Sequence, residues 1–239
     1  MNWDQLLSHA YTPYSGNPEC CLVRGKSGLL YPGVQVENGS YPLSMTAEQI
    51  AFCSCLAAGE EPEVLMYRGQ PVSQPLFWQE EFDLEYAVYE KFPGGDLFNP
   101  LVQLNSPAKE RLRKLNDYAV TPNSSFPVSA IAEVESGVIE GVNIEFSTWN
   151  LGLCAERVAI GRAITAGFRE FGGLSIYVPK SDFASPCGGC RQVICEWMSG
   201  QVVGLYHGNG TFSSYYARDF LPYAMKTSSL KKESKPSSG

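Results

Sequence analysis

An internal repeat constrains the fold of this chain more than any other feature, because two copies of one sequence pattern are expected to adopt one structure. A glycine and two glutamates recur at a constant offset of 108 residues, and the matched pairs are Gly33 and Gly141, Glu37 and Glu145, and Glu48 and Glu156 (141 minus 33, 145 minus 37, 156 minus 48). The same offset holds for residues before a predicted loop and for residues in the helix predicted after it. Such a constant spacing is not expected by chance. We therefore predict that the 239 residues contain two copies of a unit of roughly 100–130 residues.

The boundary between the copies is expected at residues 105–107, whose sequence is Asn-Ser-Pro, because Ser-Pro can end one element and begin a helix. The predicted organisation is a first unit at residues 1–105, a second unit at 106–226 and a tail at 227–239. The tail is rich in Ser, Lys and Pro and poor in apolar residues. Such a composition predicts a disordered segment.

The second unit has the clearer secondary-structure pattern. Residues 126–135 and 138–146 are alternating or apolar around Ser136-Gly137, which predicts a β-hairpin. The pattern further predicts helices at 154–167 and 186–197, and strands at 174–178 and 202–206. Strands that alternate with helices predict a layered α/β domain.

Composition limits the partners and the compartment. Apolar residues make up 44% of the chain and charged residues 18%, which predicts a packed core. The net charge is −7, with 18 basic against 25 acidic residues, so large nucleic acids and anionic membranes are poor partners. The sequence shows no long uncharged apolar stretch and no signal-peptide pattern at its start. We therefore expect a cytoplasmic protein.

Any metal site must depend on sulfur, because the chain has eight cysteines and only two histidines. Cys187 and Cys190 lie in the sequence Pro-Cys-Gly-Gly-Cys, and Cys154 begins another predicted helix. Free N–H groups at a helix start favour a thiolate, and two helix starts directed at one point would place three thiolates around a cation. Three protein ligands with an open fourth position are typical of catalytic zinc. Cys-x-x-Cys alone leaves a redox dithiol or two buried cysteines as alternatives.

Glu156 follows Cys154 by two residues, in the first turn of the predicted helix. A carboxylate there can reach a water molecule at the metal without binding the metal itself, as a proton shuttle must. A glutamate near a helix start is also stabilised by the helix dipole. Its position alone therefore leaves a purely structural role open.

Two motifs together resemble one protein family. Cys-Ala-Glu-Arg at residues 154–157 and Pro-Cys-Gly-Gly-Cys-Arg-Gln at 186–192 resemble the zinc-dependent cytidine deaminases of the three-cysteine type. Phe-Pro-Val-Ser-Ala at 126–130, Asn-Ile-Glu at 143–145 and Phe-Leu-Pro-Tyr-Ala-Met at 220–225 are also similar to segments of that family. The resemblance covers residues 108–225 and, more faintly, the first unit. It implies an α/β fold of two tandem three-layer α/β/α domains, each with a mixed sheet of about five strands.

The resemblance implies Zn2+ as the cofactor, with Cys154, Cys187 and Cys190 as its ligands and Glu156 as the group that moves protons. Arg157 directly follows Glu156, and Arg191 directly follows Cys190. Each arginine could donate a hydrogen bond to a ligand sulfur and withdraw charge from it. A surface salt bridge is the structural alternative for each arginine.

The resemblance also implies substrate contacts. Asn143 and Glu145 would hydrogen-bond a ribose hydroxyl, and Phe126 would pack against the pyrimidine. The structural alternatives are a polar strand edge for the two polar residues and a core aromatic side chain for Phe126. A ribose contact would imply a nucleoside rather than a free base.

The first unit is predicted to be a degenerate, non-catalytic copy in a fused two-copy form of the family. Thr46 takes the place of Cys154, Gln35 stands opposite Asn143, and no Pro-Cys-x-x-Cys motif follows. Its expected role is to replace a neighbouring subunit, because enzymes of this family build their sites from adjacent units. Tyr41 is the candidate residue for completing the pocket of a partner.

The predicted function is zinc-dependent hydrolytic deamination of cytidine and deoxycytidine, in pyrimidine salvage, by a homodimer that forms a pseudo-tetramer. One alternative is deamination of another aminopyrimidine nucleoside, such as a nucleoside antibiotic, because Phe146 and Trp149 depart from the family pattern. A second alternative is a nucleoside-binding or structural zinc protein without turnover. The intact Glu156 counts against this second alternative, because structural zinc needs no carboxylate there.

Overall fold

The chain forms two mixed β-sheets, each with helices packed on it, in a computed structural model that describes residues 1–69 and 76–227. The first sheet has the strand order β2-β1-β3-β4, and its strands are β1 (Cys20–Gly25), β2 (Leu30–Val34), β3 (Pro62–Tyr67) and β4 (Glu85–Val88). The helices of this unit are α1 (Trp3–Leu7), α2 (Ala47–Leu56) and α3 (Leu76–Phe82). Only β3 and β4 pair in parallel.

The second sheet has the strand order β10-β9-β8-β6-β7-β5. Its strands are β5 (Leu101–Val102), β6 (Ser129–Val134), β7 (Gly137–Val142), β8 (Gly173–Val178), β9 (Val202–His207) and β10 (Phe212–Tyr216). The helices are α4 (Ala108–Leu115), α5 (Ala155–Thr165), α6 (Gly188–Met198) and α7 (Ala217–Phe220). Only β8 and β9 pair in parallel, so both sheets are mixed in the same way.

The prediction of an α/β fold with mixed sheets is confirmed. The described sheets have four and six strands, where about five were expected in each. The sixth strand of the second sheet is β5, which pairs with β7 although it precedes the predicted boundary at residue 105. The division at residues 105 and 106 stays a prediction. No helix among the described residues is long and apolar enough to cross a membrane.

The predicted hairpin is present but shorter than expected. β6 and β7 pair from Ser129 with Val142 to Val134 with Gly137, so the turn consists of residues 135 and 136 and Gly137 already belongs to β7. Gly137 has a φ of 153°, a conformation that favours glycine. Residues 126–128 precede the strand because they belong to a loop. The side chain of Asn143, which follows β7, holds this loop through hydrogen bonds to Val128 and Phe126.

The two helices α2 and α5 bring the units together. Gly161 faces Ile50 so closely that a Cβ atom there would lie 3.0 Å from the Cγ1 atom of Ile50. Two reciprocal hydrogen bonds flank this contact: Arg157 Nη2 donates to the Leu43 carbonyl (3.2 Å), and Gln49 Nε2 donates to the Leu151 carbonyl (3.3 Å). Positions 43 and 151, like 49 and 157, differ by 108, so the contact relates equivalent positions of the repeat.

The predicted tail begins too early. Thr227 is 2% exposed, and its backbone N–H donates to the Glu196 carboxylate at 2.8 Å. It is therefore anchored to α6 rather than disordered, because the buried amide has a charged partner. The rest of the predicted tail, residues 228–239, lies outside the described residues. Residues 73–78 are the segment of the first unit that corresponds to the Pro-Cys-x-x-Cys segment of the second, and residues 73–75 also lie outside the described residues.

Candidate active site

The three predicted metal ligands meet at the starts of two helices. Cys154 is the N-cap of α5, Cys187 is the N-cap of α6, and Cys190 lies in the first turn of α6. Their Sγ atoms lie within 4.8 Å of one another, and Cys154 Sγ is 3.9 Å from Cys187 Sγ. Among the described residues this is the group of His, Cys, Asp and Glu side chains that could hold a metal ion.

The donor set fits zinc. Tetrahedral zinc with Zn–S distances of about 2.3 Å requires sulfur atoms about 3.8 Å apart, close to the separation of Cys154 and Cys187. The Cys154 side chain makes no capping hydrogen bond to its own helix, so its sulfur is free to bind a cation. Three thiolates and no fourth protein ligand leave one coordination position open, as a catalytic zinc requires.

The pKa of Cys187 lies well below the usual value of a thiol. Hydrogen bonds from the thiols of Cys154 and Cys190 lower the pKa of Cys187, although burial opposes ionisation. The backbone N–H of Cys190 also donates to Cys187 Sγ, at 3.4 Å. The helix start therefore stabilises negative charge on this sulfur, as predicted.

Pro186 lies outside α6, although the predicted helix began at this residue. The helix begins at Gly188, so Pro186 precedes the N-cap instead of occupying the first helical position. The predicted helix start at residue 186 is therefore two residues early. The reason is that Cys187 has extended backbone angles (φ −64°, ψ 165°) and caps the helix with its own sulfur.

The Glu156 carboxyl borders a cavity of about 350 Å³ together with two of the cysteines. Glu156 is 3% exposed, and burial raises its pKa to about 7. A carboxyl group with such a pKa can both accept and donate a proton near neutral pH. The cavity is lined by Ser124, Phe126, Val128, Asn143, Glu145, Cys154, Glu156, Ile176, Val178, Ser181, Phe183, Ser185 and Cys187.

Phe126, Asn143 and Glu145, for which substrate contacts stay a prediction, all line this cavity, and the two polar residues also brace the loop beside it. The Asn143 amide accepts a hydrogen bond from Val128 N (2.8 Å) and donates one to the Phe126 carbonyl (2.9 Å). Glu145 accepts hydrogen bonds from the backbone N–H groups of residues 123 and 124, at 3.0 Å each. Burial raises the pKa of Glu145, but the hydrogen bonds from Ser124 and Asn123 outweigh it and keep the pKa below its usual value.

The two arginines depart from the expectation, because their hydrogen bonds go to oxygen atoms rather than to a ligand sulfur. Arg157 donates to the Leu43 carbonyl of the first unit, and its buried Nε has no partner. Arg191 donates to the Pro186 carbonyl (2.9 Å) and to Ser185 Oγ (2.7 Å). Arg191 thus holds residues 185 and 186, which directly precede the metal-site residue Cys187.

Tyr41 does not belong to the cavity of its own chain. It begins the 3-10 turn Tyr41–Leu43 and is 73% exposed. The end of the same turn touches the metal motif, since a Cβ atom at Gly189 would lie 3.1 Å from Leu43 Cδ2. The first unit therefore packs directly against the start of α6.

Sequence reasoning missed one wall of the cavity. Ser181, Phe183 and Ser185 line it from the loop between β8 and Cys187. His207 supports this loop: its Nδ1 accepts a hydrogen bond from Ala184 N (2.8 Å), and its ring stacks on Phe183 with 5.1 Å between centroids. The only sequence signal is that this loop directly precedes the ligand motif.

Comparisons with known proteins place the chain in a family. A family model described as "Cytidine and deoxycytidylate deaminase zinc-binding region" matches residues 105–205. A cytidine deaminase from Sporosarcina psychrophila is 37% identical over 120 residues, which make up 49% of this chain and 88% of that protein. A blasticidin-S deaminase from Bacillus cereus is 33% identical over 104 residues, 40% of this chain and 74% of that protein. A solved structure of cytidine deaminase from Burkholderia pseudomallei aligns with 48% of this chain and 94% of that chain, at 32% identity and a TM-score of 0.46.

The region matched by the family model contains all three clustered cysteines and Glu156. Its description as a zinc-binding region agrees with the separation of the sulfur atoms, which suits zinc. The Sporosarcina relative is matched over most of its length, so the likeness is not confined to a short motif. The chain belongs to the cytidine deaminase family, with Zn2+ as its cofactor.

Proposed function

We propose that the protein catalyses the hydrolytic deamination of cytidine and deoxycytidine to uridine and deoxyuridine with release of ammonia. One observation carries this proposal: the buried Glu156 carboxyl opens onto the same cavity as Cys154 and Cys187, two sulfur atoms of a three-cysteine cluster. A structural zinc site would need neither a cavity nor a carboxyl beside it.

In this proposal Cys154, Cys187 and Cys190 hold the zinc. Zinc at this position supplies a Lewis acid that lowers the pKa of a water molecule and makes a nucleophile available near neutral pH. The oxygen of a water molecule would add to C4 of the pyrimidine while Glu156 takes a proton from that water and delivers it to N3. Glu156 would then pass the second proton of the water to the amino group, so that the C4–N bond breaks and ammonia leaves. Its pKa of about 7 suits both transfers.

The cavity walls fit a nucleoside. Phe126, Val128 and Ile176 offer apolar surface for the pyrimidine ring. Asn143 has one amide hydrogen beyond the one donated to the Phe126 carbonyl, and Glu145 offers carboxylate lone pairs to a ribose hydroxyl. The lining residues include no Lys or Arg, so the cavity offers no cation to pair with a phosphate group.

The test is turnover by the purified, zinc-loaded protein, followed by the loss of absorbance in the cytidine band. Cytidine and deoxycytidine should be deaminated, and CMP should not. CMP as the preferred substrate, or no turnover of either nucleoside, would contradict the proposal.

The alternative of a different aminopyrimidine nucleoside is not favoured. It was prompted by Phe146 and Trp149, and neither residue lines the cavity. Phe146 is buried against Trp78, with ring centroids 5.8 Å apart, and Trp149 is 83% exposed. The departures from the family pattern therefore lie away from the substrate pocket. Including blasticidin S in the same assay compares this alternative directly.

The assembly is also a proposal: a first, non-catalytic unit (residues 1–105), a catalytic unit (residues 106–226), and a homodimer with two zinc sites in which Tyr41 completes the pocket of the partner. The high exposure of Tyr41 supports this. Light scattering should give about 52 kDa, twice the chain mass of 26.2 kDa. Tyr41→Ala should lower kcat/KM about 10-fold through the loss of an aromatic contact. Trp149→Ala, at the equivalent exposed position, is the matched control, and a fully active monomer would contradict the proposal.

A cytoplasmic location and a role in pyrimidine salvage complete the proposal. All eight cysteines are free, and a three-thiolate metal site is preserved in a reducing compartment. Cell fractionation tests the location. Growth of a deletion strain that depends on cytidine as its pyrimidine source tests the role in salvage.

A further inference from the structure

A second cavity lies between the two units, near the C-terminal end of α5, whereas Cys154 caps the start of that helix. Its volume is about 200 Å³, and it shares no lining residue with the catalytic cavity. Pro32 and Ser54 line it from the first unit, and Arg162 and Thr165 line it from α5. Since the volume of one water molecule in the liquid is about 30 Å³, the cavity has room for a small ligand.

Arg162 brings an unpaired positive charge to this cavity. The residue is 5% exposed, and its hydrogen bonds go to Ser54 Oγ (2.9 Å), to the Ser54 carbonyl and to the Glu140 carbonyl (2.8 Å). None of these partners carries a charge. Burial lowers the pKa of Arg162 to about 10, so the guanidinium stays protonated at neutral pH.

The nearest carboxylate is already paired. Both oxygens of Glu140 accept hydrogen bonds from Arg111, one of them at 2.7 Å from Arg111 Nη2. The three groups Arg111, Glu140 and Arg162 therefore have a net charge of +1. The lining of the cavity includes no Asp or Glu that could compensate it. The carbonyl of Ser54, near the end of α2, offsets the charge only in part.

Thr165 provides an independent sign of a missing partner. It follows Arg162 by three residues on α5 and therefore lies on the same face of the helix. It is 2% exposed, and its Oγ1 has no hydrogen-bond partner. A buried hydroxyl without a partner is destabilising, so a ligand or water molecule is expected there.

The remaining groups define the chemistry of the ligand. Arg162 uses three of its five N–H donors within the protein, which leaves two donors, and both Arg162 and Thr165 line the cavity. Donors on a cation bind an acceptor with a negative charge more strongly than a neutral one. We propose that this cavity is a binding site for a small oxyanion, a phosphate or a short carboxylate, held by Arg162 and Thr165.

The experiment is isothermal titration calorimetry of the zinc-loaded full chain with inorganic phosphate and, separately, with butyrate, at constant ionic strength. The tighter ligand identifies the class of oxyanion. Thr165→Val keeps the shape of the side chain but removes the donor, and it should weaken binding about 10-fold or more. Thr165→Ser keeps the hydroxyl and is the matched control, which should bind as the wild type does. Equal binding by wild type and Thr165→Val, or no binding of either anion, would overturn the proposal.

Thermal unfolding gives a second readout that does not depend on deaminase activity. Without added anion, Thr165→Val should have an equal or higher Tm than the wild type, because it removes an unpaired buried hydroxyl. With saturating anion the order should reverse, since only the wild type gains the full binding free energy. Phosphate also stabilises proteins through preferential exclusion, but this acts on both variants alike. The same order of Tm values with and without anion would mean that the cavity holds only water.

Discussion

The starts of α2 and α5 have the same backbone but use their first side chain differently. Thr46 and Cys154 are the N-caps, with φ and ψ of −75° and 159° in the first unit and −67° and 158° in the second. Thr46 accepts a hydrogen bond from Gln49 N and so completes its own helix, whereas Cys154 makes no such bond. One unit uses this position for stability, and the other keeps its sulfur free for a metal. The same cap geometry therefore supports a backbone hydrogen bond in one unit and a metal-ligand sulfur in the other.

The glutamate that follows shows a second difference. Glu48 and Glu156 are both buried. Glu156 opens onto the catalytic cavity, but Glu48 accepts a hydrogen bond from the Tyr67 hydroxyl at 3.0 Å. Tyr67 pairs with Cys21 of β1 as Ile176 pairs with Ala130 of β6, and Ile176 lines the catalytic cavity. The first unit thus has Thr46 at the position equivalent to Cys154, and its Glu48 carboxyl is engaged by a larger side chain.

The largest expected effect comes from the metal cluster that only the second unit has. Cys187→Ala should lose its zinc and lower turnover by about 10³-fold or more, because several kcal/mol of transition-state stabilisation disappear. Metal analysis of the wild type should give one zinc per chain. Cys55→Ala, which alters a buried cysteine of the first unit, is the control and should keep its zinc. Two zinc ions per wild-type chain, or full zinc occupancy in Cys187→Ala, would contradict this assignment.

The paired glutamates give the next largest effect. Glu156→Gln should keep the fold and the zinc but lower kcat by about 10²–10⁴-fold, the range expected for loss of a proton shuttle. Glu48→Gln is the matched change in the first unit, and its kcat should stay near that of the wild type. If both variants lose activity equally, the difference between the two units does not lie in this carboxyl.

A third pair separates substrate binding from loop bracing. Glu37 accepts hydrogen bonds from the backbone N–H groups of Tyr14 (3.0 Å) and Ser15 (3.3 Å), as Glu145 does from residues 123 and 124. Because the first unit, which has no cysteine cluster among its described residues, makes the same contact, the brace belongs to the fold. Glu37→Gln and Glu145→Gln should each lower the free energy of unfolding by about 1.5–3 kcal/mol.

Only Glu145→Gln should also raise KM for cytidine, by roughly 10-fold, because only Glu145 lines the catalytic cavity. Denaturant unfolding and steady-state kinetics of the two variants check this pair. An unchanged KM in Glu145→Gln would leave the residue with its structural role alone.

The metal centre could be predicted in two steps. Cys187 and Cys190 belong to one helix start, so their proximity follows from their spacing, whereas the resemblance to the family implied that Cys154, at the start of the preceding helix, joins them. The wall formed by Phe183 and the support from His207 could not be predicted. A loop without periodicity gives no signal, and His207 is 20 residues beyond Cys187 in sequence (207 minus 187).

Contacts between the units could not be predicted from the sequence either. The bond from Arg157 to the Leu43 carbonyl depends on how α2 and α5 cross, which neither hydrophobic pattern encodes. The expectation of a sulfur partner followed from the resemblance and not from packing. The ordered position of Thr227 could not be predicted either. It depends on a hydrogen bond to Glu196, which lies 31 residues earlier in the sequence (227 minus 196).

The smallest expected effect is on stability, for a substitution at the N-cap of α2. Thr46→Cys restores the cysteine at the equivalent position, but no Pro-Cys-x-x-Cys motif stands opposite it in the first unit. A single thiol is not enough to hold zinc, so the zinc content should stay at one per chain. The variant should lose about 1 kcal/mol of the free energy of unfolding, because cysteine caps the helix less well than threonine. Thr46→Ser keeps the cap and should unfold as the wild type does. A second zinc in Thr46→Cys would mean that the first unit retains a metal-binding arrangement, and the contrast between the two helix starts would then rest on one side chain alone.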